Sequence, residues 1–157
     1  MRTWHYAVTA GDTLTEKFPV DAFKNGNYHL RIYGPNGFFR EFSGNAKDPQ
    51  LMIECEYQRS RLSANKLTGN IELKVRNSHN NHAYTLEITD HAYKNNPVSK
   101  KIGPAAEETI VLNLGKSFGW YDFSVGIKEN PSFTKRYAGH VETGKESVSD
   151  PFMGRSI

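Results

Sequence analysis

The sequence contains a single cysteine, Cys55, in 157 residues. A lone thiol forms no internal disulfide and no thiolate metal cluster, so neither device can hold the chain together. Cys55 therefore reads as a small buried hydrophobe, and one cysteine leaves the redox compartment undecided. Long apolar runs are also missing. Nothing approaches the roughly 20 apolar residues that a bilayer-spanning helix needs, and Met1-Arg2-Thr3-Trp4-His5-Tyr6 has no apolar core of a signal peptide. Charge of one sign is scarce: 20 basic against 17 acidic residues leave a net charge of +3. The basic clusters are as short as Lys100-Lys101 and Lys135-Arg136, too little for a nucleic-acid footprint, and no nucleic-acid partner is expected. A sustained period near 3.6 is absent, so almost no helix is expected.

What the chain does have is a segment that occurs twice. The first copy reads Gly26-Asn27-Tyr28-His29-Leu30-Arg31-Ile32, then Gly34-Pro35-Asn36-Gly37, then Phe38-Phe39-Arg40-Glu41-Phe42-Ser43-Gly44. The second reads Gly119-Trp120-Tyr121-Asp122-Phe123-Ser124-Val125, then Glu129-Asn130-Pro131, then Phe133-Thr134-Lys135-Arg136-Tyr137-Ala138-Gly139. Tyr28 and Tyr121 lie 93 positions apart and Gly44 and Gly139 lie 95 apart, so the copies differ by about two residues in the turn. Repetition at this distance implies a duplicated module. Too few residues precede Tyr28 for a whole first copy, which predicts a C-terminal half-module over residues 1–45 and a complete module with its tail over 46–157.

Alternating segments separated by Gly, Pro and Asn place seven strands in the second module, at 51–57, 69–76, 83–89, 98–102, 109–114, 120–127 and 133–141. Ile71, Leu73 and Val75 fall on one face, with Glu72, Lys74 and Arg76 on the other. Seven short strands in about 90 residues predict an all-β, immunoglobulin-like antiparallel β-sandwich, and Tyr121 stands where such sandwiches often make a corner hydrogen bond. The truncated module offers strands at 4–9, 13–18, 28–33 and 38–42. Their apolar residues, including Trp4, Phe18, Tyr28 and Ile32, need cover from elsewhere. Two routes supply it: the strands fold over the complete module, or two chains associate as a homodimer. The short link Gly44-Asn45-Ala46-Lys47-Asp48-Pro49 favours association.

Chemistry-bearing constellations are weak. His79-Asn80-Asn81-His82 with His91 could ligate a cation, but no third ligand at a fixed spacing accompanies them and a solvated turn explains them better. Ser43, Ser60, Ser78, Ser117 and Ser132 sit in no Gly-x-Ser-x-Gly elbow, and Asp21, Asp122 and Glu129 have no evident partner. No phosphate-binding glycine loop is present. No catalytic residue, metal ligand or cofactor is therefore assigned to this chain. More suggestive is the hairpin Tyr33-Gly34-Pro35-Asn36-Gly37-Phe38-Phe39-Arg40, whose tight turn sets rings beside a cation as membrane-interface anchors do. Core packing of one of the two phenylalanines is the competing reading. With the matching Phe133, Lys135 and Arg136, these residues form the expected lipid-surface or interdomain contact: Tyr33, Phe38, Phe39, Arg40, Phe133, Lys135 and Arg136.

The two hairpins, with Arg136-Tyr137-Ala138-Gly139-His140-Val141-Glu142-Thr143-Gly144 and Ser149-Asp150-Pro151-Phe152-Met153-Gly154, resemble the C-terminal domains of bacterial phospholipases C of the phosphatidylcholine-hydrolysing, acid-phosphatase-related family. The resemblance covers nearly the whole chain. It implies a parent with a large catalytic domain of alkaline-phosphatase-like fold, followed by two tandem copies of a small β domain. The family's catalytic residues and divalent-metal ligands lie in that catalytic domain and match no position here. The resemblance thus implies a non-catalytic appendage whose partner is the catalytic domain in cis, with a phospholipid surface as a further partner. It implies export or a periplasmic location for the parent, and Arg155-Ser156-Ile157 reads as a natural C-terminus. The rival is a stand-alone lipid- or carbohydrate-binding sandwich; the carbohydrate version needs a planar row of exposed aromatics on one sheet face.

Overall fold

The computed structural model describes residues 2–153. The expected C-terminus at Arg155-Ser156-Ile157 lies outside the described residues. Alternating side chains produce the strands β1 (Asn27–Tyr33), β2 (Phe39–Asn45), β3 (Leu51–Ser60), β4 (Ser63–Asn77), β5 (Tyr84–Asp90), β6 (Val98–Ile102), β7 (Glu107–Leu112), β8 (Trp120–Ile127) and β9 (Asn130–His140). The helical content described is three single 3-10 turns. One sheet has the order β3-β4-β7 and the other β1-β2-β9-β8-β5-β6, and every pairing is antiparallel.

The two sheets form a sandwich because each strand is apolar on one face. Along β8, Tyr121, Phe123, Val125 and Ile127 are buried while the residues between them are not. Leu86 and Ile88 of β5 and Ile102 of β6 extend this wall, and Ile71, Leu73 and Val75 of β4 with Leu51 and Ile53 of β3 supply the opposing one. Fully burying one such side chain contributes about 1.5–3 kcal/mol. The seven strands of residues 51–140 give three strands facing four. The fourth of them, β6, pairs with β5 through Tyr84↔Ile102 to Ile88↔Val98. In constant-type immunoglobulin domains the fourth strand instead joins the sheet of the first, second and fifth.

The N-terminal hairpin does not stand apart from this sandwich. β2 pairs with β9 from Phe39↔Ala138 to Ser43↔Thr134, centred on Glu41 opposite Arg136. Those two residues are 95 positions apart, like Gly44 and Gly139. Each hairpin thus lends its second strand to the seam, related by a local two-fold. The first hairpin folds onto the sandwich through this pairing, and β2 occupies the β9 edge. The short link permits it. The link only has to carry the chain from the end of β2 to the start of β3 in the facing sheet. It does so as an ordered turn: Asp48 N–H donates to the Asn45 carbonyl at 3.1 Å and Asn45 N–H to Asp48 Oδ1 at 2.8 Å. Asn130 Nδ2 holds the Lys47 carbonyl at 3.0 Å.

The strands expected at 4–9 and 13–18 are not formed; that stretch is irregular, with one turn near Gly11. Among the described residues no strand pairs with either segment. The alternation was present, but a strand needs a neighbour.

Both hairpins contain the same close approach. Tyr28 lies opposite Gly44 and Tyr121 opposite Gly139 in the registers, and each phenol crosses its glycine. A Cβ on Gly139 would lie 3.0 Å from the Tyr121 hydroxyl, and one on Gly44 would overlap Tyr28 and Asp48. Tyr121 is 2% exposed, so Tyr121→Ala should leave a cavity and an unmatched guanidinium, costing about 3 kcal/mol or more. The check is the urea midpoint, and an unchanged midpoint would contradict this role.

Candidate contact surface

The seven residues expected to make a surface separate onto different faces. Arg40 is turned inward. Its Nη1 donates to the carbonyls of Phe39 at 2.8 Å and Ala138 at 2.9 Å, and its Nη2 donates to the Tyr121 hydroxyl at 3.0 Å. The guanidinium also lies 4.1 Å from the Phe38 ring centroid, 5.2 Å from that of Tyr137 and 5.6 Å from that of Tyr121. Arg40 and Phe38 are thus committed to docking the hairpin on β8 and β9. The Tyr121 hydroxyl, expected to make a corner hydrogen bond, instead accepts from an arginine of the other hairpin. In the first hairpin Tyr28 instead donates to Asp48 Oδ2 at 2.5 Å. Burial raises both phenols well above their ordinary pKa.

Phe133 is 3% exposed and belongs to the core. Its expected surface role fails because the strand period turns it inward with Tyr137. Lys135 faces the same way, opposite Phe42 in the register, with its ammonium 5.7 Å from the Phe133 ring centroid. Burial lowers its pKa and the Asp48 carboxylate partly restores it. Cys55 also lies against the core, its thiol pushed up to about 12 by removal from water, which makes it inert.

Tyr33, Phe39 and Arg136 do share a face, the outer side of the six-stranded sheet. The rings of Tyr33 and Phe39 lie 5.1 Å apart, and the Arg136 guanidinium is 5.7 Å from the Phe39 centroid. Arg136 is held by a bidentate pair to Asp122, Nε to Oδ1 at 2.8 Å and Nη2 to Oδ2 at 2.7 Å. On the neighbouring strands, Glu41 Oε1 accepts from Arg31 Nε at 2.7 Å and meets His29 Nε2 at 2.6 Å. Arg31, Glu41, Arg136 and Asp122 therefore alternate in sign across β1, β2, β9 and β8. Such exposed pairs contribute at most about 1 kcal/mol each, but they leave this face nearly neutral.

The histidine turn is organised by a residue the sequence reading passed over. Buried Asn77 donates from Nδ2 to the carbonyls of His82 at 2.7 Å and Gly103 at 2.8 Å, and its Oδ1 accepts the His79 N–H at 2.9 Å. His79 Nδ1 accepts the Asn81 N–H at 3.1 Å. Among the described residues no three His, Cys, Asp or Glu side chains are placed to hold a metal ion. Glu129 binds the backbone and hydroxyl of Thr85. The aromatic row a carbohydrate site needs is not formed either: of the strongly exposed Trp and Tyr described, Trp4 and Tyr6 lie in the N-terminal stretch and Tyr33 alone on a strand.

A second feature missed by the sequence reading lies where β9 ends. His140, 6% exposed, directs Nε2 at the Phe118 carbonyl (3.0 Å) and Nδ1 at Glu142 Oε1 (3.1 Å). Its ring stacks on Trp120, whose Nε1 donates to the Val148 carbonyl at 2.8 Å. The C-terminal stretch is thereby strapped across the sheet, over an open cavity of about 240 Å³ lined by Thr68, Phe118, His140 and Val148.

These features define an antiparallel β-sandwich. Comparison with known proteins places it. The sequence model of the family described as bacterial phospholipase C, C-terminal domain, matches residues 1–45 and 51–140. The chain belongs to that family. The non-hemolytic phospholipase C of Pseudomonas aeruginosa is 33% identical over 150 residues, covering 95% of this chain and 21% of that protein. The hemolytic phospholipase C of the same organism is 34% identical over 149 residues, covering 91% and 19%. The non-hemolytic phospholipase C of Burkholderia pseudomallei is 36% identical over 158 residues, covering 96% and 21%. The chain thus spans about a fifth of the length of these relatives.

Two outcomes follow from this geometry. Arg40→Ala removes three hydrogen bonds and a ring contact from the seam, so it should cost about 2–3 kcal/mol and open the β1 and β2 amides to hydrogen exchange before those of β8. Equal protection across all four strands would show that the seam does not depend on Arg40. Glu41 supplies a pH dependence. The His29 hydrogen bond, helped by Arg31 and opposed by desolvation, holds its pKa below the ordinary carboxylate value. Its contribution is present above the unfolded value near about 4.3 and is lost as pH falls through the lowered folded value. Chemical denaturation against pH should therefore show Glu41→Gln less stable than the parent at neutral pH and converging with it in acid.

Proposed function

We propose that this chain is a non-catalytic C-terminal accessory region of a bacterial phospholipase C, whose parent hydrolyses phosphatidylcholine-type phosphodiesters in a separate domain. The carrying observation is the coverage: nearly all of this chain matches, yet the match takes in only about a fifth of each phospholipase C relative. Ser117, one of the serines weighed as a nucleophile, fits that reading: its hydroxyl donates to the Trp120 carbonyl at 2.6 Å, with the Leu114 carbonyl at 3.1 Å. The role is support of the catalytic domain in cis, and the parent acts outside the cytoplasm.

In this reading residues 1–45 are the later part of a first copy of the module and 46–157 the complete second copy. The paired Tyr–Gly crossings support it, as does the exposure of the first hairpin's inner face. Ile32 is 50% exposed, whereas Val125, 93 positions later, is 0%. Among the described residues no strand lies beyond β1.

The purified chain should not turn over a chromogenic phosphocholine ester above a heat-treated control. Turnover that persists through metal stripping and repurification would refute the non-catalytic assignment.

A further inference from the structure

The sandwich has one pole unlike the rest of its surface. At the end where β9 finishes, three segments meet: the β1–β2 turn (34–38), the β7–β8 connection (113–119) and a β3–β4 arm (58–70). The arm exists because β4 outruns β7. Their last shared rung is Ile71↔Leu112, while β3 and β4 continue pairing to Arg59↔Leu67 and Ser60↔Ser63 with a register shift that bends the ribbon. One bond joins the arm to the β7–β8 connection, and two contacts tie the base of the arm and the β1–β2 turn to β9. Tyr57 donates to the His140 carbonyl at 3.1 Å, Leu114 N–H donates to Asn70 Oδ1 at 3.1 Å, and the Phe38 backbone lies 3.6 Å from where a Gly139 Cβ would stand.

These segments contain Arg59, Arg61, Lys66 and Lys116 and no Asp or Glu. All four cations are exposed. Nearby carboxylates are Glu146, which lines the cavity beside Phe118, Glu142, which meets His140, and Glu56, which shares a surface depression with Arg59. Apolar side chains stand out among the cations. Leu62, at the arm tip, is 99% exposed, the highest value among the exposed large hydrophobics, and Tyr33 beside the β1–β2 turn is 73% exposed. Phe118 is 56% exposed and sits at φ 56°, a left-handed conformation that a bulky residue rarely adopts. An apolar tip ringed by cations matches the layered chemistry of a membrane boundary, where apolar groups enter beneath phosphates that attract Lys and Arg.

We propose that this pole docks on an anionic phospholipid bilayer, with Leu62 entering the headgroup boundary and Arg59, Arg61, Lys66 and Lys116 against lipid phosphates. The proposal rests on the accessory-region reading for its purpose, because a phospholipase C substrate lies in such a surface. The contact itself is testable without it. It also moves the lipid contact away from Arg40, Phe133 and Lys135, which the fold has turned inward.

The test is co-sedimentation of the full chain with vesicles of phosphatidylcholine alone and of phosphatidylcholine with about one quarter phosphatidylglycerol. Binding is expected to the mixed vesicles and to fall with added salt. Arg61→Glu combined with Lys66→Glu should weaken it roughly thirtyfold or more, at about fivefold per surface cation removed. Leu62→Ser should weaken it with no change in net charge. Lys101→Glu with Lys128→Glu, the same charge change away from this pole, should leave affinity within about twofold. Matching urea midpoints verify that the arm variants are folded, since the arm lies past the β7 ladder. Absence of binding to mixed vesicles overturns the proposal. So does an equal loss in the Lys101/Lys128 pair, which would mean bulk charge, or arm variants that instead weaken binding to a separately produced phospholipase C catalytic domain. Phosphodiester turnover by the chain would defeat the accessory reading and leave the vesicle result standing.

Discussion

The seam between β2 and β9 is the constraint on which the rest of this structure depends, and Arg40 is the group that closes it. Without the seam, β9 would present a long open edge and the first hairpin would have no sheet to join. Five register pairs supply the backbone bonds, but a ladder alone would let the hairpin slide or splay. Arg40 fixes position by reaching across the seam to the Ala138 carbonyl and on to the Tyr121 hydroxyl. The rings of Phe38, Tyr121 and Tyr137 shield it from bulk water, which strengthens its hydrogen bonds.

The local two-fold at Glu41 and Arg136 gives the seam a second property. Residues at matching repeat positions face each other there, and they carry opposite charge. In Arg40 and Lys135 the same symmetry sets two cations on the inner face, each across from an aromatic, Tyr137 and Phe42. Their environments nonetheless differ. Arg40 is satisfied by two carbonyls and a phenol, whereas Lys135 is desolvated with Asp48 as its nearby opposing charge. The tyrosines diverge in the same way, Tyr121 accepting from Arg40 and Tyr28 donating to Asp48. A repeated frame has thus been filled with polar groups that complement one another.

The faces of this sandwich differ in charge. The outer face of the six-stranded sheet is nearly neutral because its charges are paired. The pole at the end of β9 carries exposed cations on turns and an arm. The strap held by Trp120, Tyr93 and Asp150 covers the sheet between them. Tyr33 and Phe39 remain on the outer face as an aromatic pair, the part of the expected surface that keeps its exposure.

The sequence by itself determined the all-β class, the seven strands over residues 51–140 and the buried face of β4. These follow from period-two alternation and turn chemistry, which are local. It also determined the family, because long ordered runs persist wherever the chain folds. Tertiary structure decided the rest. Whether β2 met β9 or another chain depended on a path between facing sheets, which linker length does not encode. Whether 13–18 became a strand depended on a neighbour outside the local pattern. Arg40 beside two phenylalanines looked like a surface anchor because residue type gives no direction for a side chain at a sheet edge. The register, by placing Arg40 opposite Tyr137, turned it inward, and the overrun of β4 past β7 created a basic pole from residues far apart in the sequence.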